Sequence, residues 1–362
     1  MMTIKVLVVD DSAVVRKVVS EILDADPSID VIAKASDPIF AMKHMEKAWP
    51  DVILLDIEMP RMDGITFLKK IMSERPTPVV ICSSMTQQGA DITMQALASG
   101  AVDIIAKPKV SLSTYFREER TLFLQAIKSA AQANIKQLKP NVIPIDRPVP
   151  AKHSVDTVIP PVALNTKVKT DCVVAIGTST GGTQALEEIL SSLPSMSPGI
   201  VIVQHMPEKF TRAFATRLNG LCEIEVKEAE NLEVVTPGKA LIAPGGKHMM
   251  LKRNGTRYFI EIIDGPLVNR HRPSVDVLFR SAAASAGKNA LGIIMTGMGD
   301  DGAKGLLEMK NSGAHTLAQD KDSCVVYGMP KEAVNLGAVC ESISLRRIPE
   351  AIVNYICKYK LG

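Results

Sequence analysis

The sequence predicts two α/β domains, each a doubly wound sheet, joined by a proline-rich linker. Three observations carry this. The chain has 362 residues, too many for one ordinary core and enough for two. Short apolar runs at 6–9, 52–55, 79–82 and 104–105 alternate with helical-period segments such as Val15, Val18, Val19 and Ile22, the pattern of a parallel sheet with crossover helices. That alternation lapses near residue 125 and resumes at Cys172, with runs at 173–176, 200–203 and 291–295 that each end in a glycine-rich or polar turn.

The boundaries follow as a first domain at 1–125, a linker at 126–170 and a second domain at 171–362. The linker carries Pro140, Pro144, Pro148, Pro150, Pro160 and Pro161. Its first part, 126–138, can extend a helix, and the remainder reads as solvated and partly extended. In the second domain, residues 258–263 after the turn at Asn254 and Gly255 read as a hairpin strand, so that sheet is expected to be mainly parallel with an antiparallel part.

Composition excludes several classes. The 42 Lys plus Arg against 39 Asp plus Glu give too slight a positive balance for a phosphate-backbone binder, so no nucleic-acid partner is expected. No apolar run approaches a bilayer-spanning length, and the first residues lack an export signal, so the protein is not membrane-embedded and is expected in the cytoplasm. Six cysteines without a C-x-x-C spacing suggest neither a zinc site nor a disulfide framework, and read as reduced core residues.

Chemistry gathers at strand ends. In the first domain the first strand ends in Asp10 and Asp11, the third in Asp56 and the fifth in Lys107, and carboxyl ends of parallel strands line one crevice. Clustered carboxylates need a cation, and hard oxygen ligands suit Mg²⁺. An aspartate beside Mg²⁺ and a lysine can accept a phosphoryl group, with Ser83 at the end of the fourth strand available to the new phosphate. Each residue alone reads more simply: an acidic helix start, a turn aspartate, a surface lysine. Together, Asp56-Ile57-Glu58-Met59-Pro60-Arg61-Met62-Asp63-Gly64 and Lys107-Pro108 resemble the response-regulator receiver family, which implies a flavodoxin-like parallel sheet. The resemblance makes Asp56 the phosphoacceptor, Asp10 and Asp11 the rest of the metal-binding acid pocket, and Ser83 and Lys107 the switch residues. Ile104 stands where that family often has an aromatic, which removes an aromatic-rotamer switch.

In the second domain the strand at 173–176 runs into Gly177-Thr178-Ser179-Thr180-Gly181-Gly182 and then a helix with Leu186, Ile189, Leu190 and Leu193 on one face. A tight strand-to-helix turn lifts a serine hydroxyl above the sheet, and Ser179 is the candidate nucleophile. A dinucleotide or P-loop template fits poorly, because the first wants glycine where Ser179 sits and the second a Gly-Lys-Ser/Thr ending. His205 follows the next strand as candidate base, and Asp300 or Asp301 follows a later one as the group that orients it. Residue chemistry does not choose between those aspartates. A lone histidine is more often structural, and an aspartate before glycine is usually a turn residue; their shared placement favours a triad. The order Ser, His, Asp differs from that of the α/β-hydrolases.

These segments, with Asp264-Gly265-Pro266-Leu267-Val268-Asn269-Arg270-His271-Arg272-Pro273-Ser274-Val275-Asp276 and residues 296–302, resemble the bacterial protein-glutamate methylesterase/glutamine deamidase family. That resemblance implies a phosphorylation-regulated hydrolase acting on glutamyl esters and glutamines of methyl-accepting chemotaxis receptors, with a chemotaxis histidine kinase as phosphodonor and no cofactor for the hydrolase. It places the third triad member at Asp301, and Thr180 and Met298 at the oxyanion and substrate site. His271 and Arg272 stand either as substrate contacts or as a satisfied polar loop, and Arg212 and Arg217 either attract acidic receptor helices or are solvated. A receiver tied to a hydrolase by such a linker is expected to cover the cleft at rest.

Overall fold

The computed structural model describes residues 3–59, 61–84, 86–107, 115–138 and 172–360. The N-terminal domain runs β1 (Ile4–Val9), α1 (Ala13–Asp24), β2 (Ile29–Ala35), α2 (Pro38–Met45), β3 (Val52–Leu55), α3 (Gly64–Glu74), β4 (Val79–Ser83), α4 (Gln87–Ala98), β5 (Asp103–Ala106) and α5 (Tyr115–Ala131). Its strands pair in the order β2-β1-β3-β4-β5, all parallel. The inner strands β3 and β4 are buried throughout, because helices cover both faces, and so they read as unbroken apolar runs. The edge strand β2 is half-buried and of mixed polarity, which is why periodicity did not mark it. Helix starts are fixed by side chains: Ser12 accepts from Val15 N–H, Asp37 from Ile39 and Phe40, and Asp63 from Thr66.

The C-terminal domain runs β6 (Val173–Thr178), α6 (Gly182–Leu190), β7 (Gly199–Gln204), α7 (Phe210–Asn219), β8 (Glu225–Glu228), β9 (Lys239–Ile242), β10 (His248–Asn254), β11 (Arg257–Ile263), α8 (Val275–Ala286), β12 (Ala290–Ile294), α9 (Ala303–Asn311), β13 (His315–Gln319), α10 (Met329–Asn335), β14 (Glu341–Ile343) and α11 (Ile348–Lys360). Its seven-stranded sheet has the order β14-β13-β12-β6-β7-β9-β8, with every described pair parallel. The strand order turns back at β6, with β7 on one side and β12 on the other, so the loops after these three strands converge. The antiparallel part is a separate two-stranded ribbon, β10 with β11, rather than a section of the main sheet. The Asn254–Arg257 pair leaves only Gly255, at φ 60°, and Thr256 in the turn, a connection that can close only on its own partner strand.

Glycine brings α8 against β6. A Cβ on Gly177 would lie 2.1 Å from Val275 Cγ1, so the first residue of α8 can approach only a bare backbone.

The two domains touch. Gly181 N–H donates to Val102 O at 3.3 Å, Gln184 Nε2 to Leu97 O at 2.7 Å and Thr180 Oγ1 to Asp103 Oδ2 at 2.7 Å. Helix α4 lies against α6 and α7. Helix α5 continues past residue 125 to Ala131, and a 3-10 turn follows at Ile135–Gln137. Asn134 N–H donates to Val325 O at 2.8 Å, and Leu138 is buried in a cluster with Val325 and Val326. The start of the expected linker is thus helical and packed, while its residues 139–170, and Pro108 of the lysine motif, lie outside the described residues. Among the described residues no helix is long and apolar enough to cross a membrane.

Candidate active site and phosphoacceptor site

At the carboxyl end of the first sheet, carboxylate oxygens of Asp10, Asp11 and Asp56 lie within 4.8 Å of one another. Lys107 Nζ sits 2.6 Å from Asp56 Oδ2 and 3.0 Å from Asp10 Oδ2. Burial pushes the Asp56 carboxyl up to about 6; the hydrogen bond and charge of Lys107 oppose this, and the charge of Asp10 adds to it. Asp10 Oδ2 is buried and accepts no hydrogen bond among the described residues, its only compensation being the charge of Lys107. A carboxylate set with one buried oxygen still open fits a hard divalent cation, so these residues suit Mg²⁺. Ser83 closes β4 and is buried, its hydroxyl 3.5 Å from Gly89 O.

In the second domain Ser179 stands between β6 and α6. Its N–H donates to Thr296 O at 3.0 Å, while its C=O accepts from Gly182 N–H at 2.8 Å and Gln204 Nε2 at 2.9 Å. Gly181 takes φ 77°, and a Cβ there would lie 2.5 Å from Val325 Cβ, so both conformation and space call for glycine. His205 follows β7, and its N–H donates to Thr178 O at 3.0 Å. Gln204 Nε2 also donates to His205 O at 3.0 Å, so one amide clamps the backbone of both residues.

His205 Nε2 lies 2.8 Å from Asp301 Oδ2, and its Nδ1 is buried without a hydrogen-bond partner among the described residues. Nδ1 is therefore the nitrogen left to serve Ser179, and that bond is not made in this arrangement. The structure sets Asp301 against His205, whereas Asp300 is exposed. Asp301 Oδ1 accepts from Ser274 Oγ at 2.8 Å, Asn269 Nδ2 at 2.8 Å and Asp276 N–H at 3.2 Å; Oδ2 accepts from Val275 N–H at 2.7 Å. Two of these donors are the first free N–H groups of α8, so the carboxylate sits at the positive end of a helix. Burial alone would raise its pKa, but the hydrogen bond and charge of His205, with the Asn269 and Ser274 bonds, hold it well below the usual carboxylate range.

Thr180 and Met298 line the same cavity as Ser179, His205 and Asp301. The Thr180 hydroxyl is engaged by Asp103, whose carboxyl burial pushes up while the bonds from Thr180 and Ile104 oppose it. His271 stacks on His205, with ring centroids 3.7 Å apart and planes within 7°. Arg272 Nη1 donates to Gly265 O within its own loop. Arg217 pairs with Glu187 at 3.0 Å, and the exposed Arg212 lies 3.6 Å from Glu228. Ser274, Asn269 and the contact of Asp103 with the second domain were not legible in sequence. Their partners lie 27, 32 and 77 positions away, and no local pattern reports contacts of that range.

Burial, the charge of His205 and that of Arg270 push the His271 imidazole from 6.5 down to about 3, against the pull of Asp301. Between those values the unfolded chain binds a proton that the folded chain refuses. This site therefore costs stability as pH falls from about 6.5 toward about 3, by up to about 1.4 kcal/mol per pH unit. His271→Phe keeps a ring to stack and removes the proton site. Thermal unfolding followed against pH is expected to show a flatter acid slope in the variant, and identical slopes would contradict a neutral, half-buried His271.

The chain matches the family model for CheB methylesterase over residues 174–352 and that for the response regulator receiver domain over residues 6–114. It is 61% identical over 352 residues to a protein-glutamate methylesterase/protein-glutamine glutaminase of Shewanella oneidensis, covering 97% of this chain and 99% of that one. It is 63% identical over 348 residues to a like-named protein of Photobacterium profundum, covering 96% and 99%. The crystallised CheB methylesterase catalytic domain of Thermotoga maritima is 40% identical and covers 51% of this chain and 97% of that one, with a TM-score of 0.49. At such identity over nearly the whole length, the chain belongs to the protein-glutamate methylesterase/protein-glutamine glutaminase family, with a receiver domain ahead of a CheB methylesterase domain.

Proposed function

We propose that this chain is a phosphorylation-regulated protein-glutamate methylesterase and protein-glutamine deamidase that works on methylated chemotaxis receptors by Ser-His-Asp covalent catalysis. The observation that carries the catalytic reading is the 2.8 Å contact between His205 Nε2 and Asp301 Oδ2, which leaves a buried Nδ1 with no hydrogen-bond partner among the described residues, on a histidine that lines the same cavity as Ser179. In this reading His205 Nδ1 takes the Ser179 proton as Oγ attacks the γ-carbonyl carbon of a glutamyl methyl ester. The C–O bond to methoxide breaks, His205 returns the proton, and methanol leaves. Water then attacks the acyl-enzyme, with His205 again as base, to give glutamate and free Ser179. Glutamine follows the same path with ammonia leaving. Asp301 remains ionised and balances the imidazolium charge. The oxyanion is assigned to donors around Thr180 and Met298, where losing one donor costs on the order of 3 kcal/mol.

Regulation is assigned to the first domain, taken as 1–125 plus the remaining turns of α5, with 171–362 as the catalytic domain. Asp56 is the phosphoacceptor, Asp10, Asp11 and Asp56 hold Mg²⁺, and Lys107 and Ser83 engage the new phosphate. Bound Mg²⁺ would offset the charge of the three carboxylates and the phosphoryl oxygens. The donor is a chemotaxis histidine kinase, and the setting is the cytoplasm. At rest the receiver covers the cleft through Asp103, Val102 and Leu97, and phosphorylation weakens that contact.

Ser179→Ala, His205→Ala and Asp301→Asn are each expected to lower kcat by roughly a thousandfold or more, with a double variant little worse than a single one. Methanol release from methylated receptor measures this. A fully active Ser179→Ala, or a crippled Asp300→Asn beside a mild Asp301→Asn, sinks the assignment. With a small phosphodonor, Asp56 is expected to carry an acid-stable, base-labile acyl phosphate only when Mg²⁺ is present. Mass spectrometry locates the label, and label that survives in Asp56→Ala, or withstands chelation of the metal, overturns the receiver reading.

A further inference from the structure

Helix α8 begins in an unusual way. Ser274 is its N-cap residue, extended at φ −110° and ψ 138°, yet its side chain accepts no hydrogen bond from the helix. A serine there ordinarily takes up one of the free N–H groups of the first turn. In this chain the Asp301 carboxylate does so, accepting from Val275 N–H at 2.7 Å and Asp276 N–H at 3.2 Å. The serine is turned into a donor instead, and its hydroxyl reaches Asp301 Oδ1 at 2.8 Å.

Ser274 is itself held on its other side. It is fully buried, at 0% exposure, and its N–H donates to His248 Nδ1 at 3.2 Å. His248 Nε2 in turn meets Pro266 O at 2.8 Å, and since a carbonyl can only accept, the proton of this buried imidazole is on Nε2. A chain of directed bonds thus runs from β10 through Ser274 to Asp301 and ends at His205. The other side-chain donor to Oδ1, Asn269, is exposed at the cavity rim and shares its amide with Asp276 at 2.6 Å.

We propose that Ser274 is a positioning residue for the hydrolysis: its hydroxyl fixes Asp301 Oδ1, and so keeps Oδ2 directed at His205 Nε2. The proposal rests on the triad reading, in which Asp301 orients the base. Without the hydroxyl, Oδ1 keeps only the exposed Asn269 amide, which it shares with Asp276, and the longer bond from Asp276 N–H at 3.2 Å, so Oδ2 is held on His205 less firmly while the substrate surface is untouched.

The test uses the full-length chain with a small phosphodonor, and measures kcat and KM for methanol release from methylated receptor together with the proton NMR signal of the His205 Nε2–H. Ser274→Ala is expected to lower kcat roughly tenfold to a hundredfold, the range for losing one hydrogen bond to a charged group, with KM within about twofold. The His205 signal is expected to shift, and Ser274→Thr, which keeps the donor, is expected to restore both. Ser274→Cys, close in shape and a weak donor, gives the same readings if the alanine variant does not fold. A Ser274→Ala chain with unchanged kcat and a lower unfolding temperature makes the hydroxyl a stabilising contact only, and overturns the proposal. A rise in KM alone overturns it as well. An unmoved His205 signal overturns it whatever the activity, whereas failure of the triad reading is seen separately, as a fully active Ser179→Ala.

Discussion

The hydrogen bond from Thr180 to Asp103 ties the residue beside the candidate nucleophile to a strand of the other domain. Strand β5 begins at Asp103 and ends at Ala106, and Lys107 follows it to pair with Asp56 at 2.6 Å. Four residues of strand therefore separate the acid pocket from the Ser179 turn, a span of about 13 Å. A strand is stiff along its length, and few bonds lie between Lys107 and Thr180. The contact is also conditional. Burial pushes the Asp103 carboxyl pKa up, and the opposition comes first from the Thr180 hydroxyl across the interface and then from Ile104 N–H in its own strand.

The catalytic side depends on close approach. Gly177 has no Cβ where α8 crosses β6, and Gly297 has none where the loop after β12 meets Ser179, whose Cβ would be 2.7 Å away. These two absences bring the N-terminus of α8 and the β12 loop to the same point. Asp301 then finds two backbone N–H groups, a serine, an asparagine and a histidine, enough to keep a buried carboxylate ionised. Asp276 stands close by with its carboxyl pushed up, by burial first and by the charge of Asp301 besides, while Gly305 N–H and Asn269 oppose the rise.

Sequence reading reached whatever parallel-sheet topology dictates. The apolar runs marked the inner strands, and the polar residues that end them gathered at one crevice per domain: Asp10, Asp56 and Lys107 in one, Ser179 and His205 in the other. What it missed needed distance. Asp300 and Asp301 share one turn, and what separates them is which side chain the start of α8 meets. Arg217 read as either a receptor contact or a solvated charge, because its partner Glu187, 30 positions earlier, lies on another helix. Strand β2 escaped because an edge strand is half-wet, and the last turns of α5 fell inside the linker bounds although 126–138, which precedes the first linker proline at Pro140, read as able to extend a helix. The antiparallel ribbon was legible as a hairpin from Asn254 and Gly255, but its separation from the main sheet was not, since a turn fixes a partner strand and not a sheet.

In the proposed regulation the receiver restrains the hydrolase by covering it. A tenfold change in activity requires only about 1.4 kcal/mol of difference between covered and open arrangements, which a few hydrogen bonds such as those of Thr180 and Gln184 can supply. The direct measurement is methanol release from methylated receptor by a fragment beginning near Val168, set against the full-length chain with and without a small phosphodonor. The fragment is expected to be faster than the unphosphorylated chain and indifferent to the phosphodonor. A well-folded fragment as slow as the resting enzyme would contradict it, and would mean that the receiver contributes to the site instead of covering it.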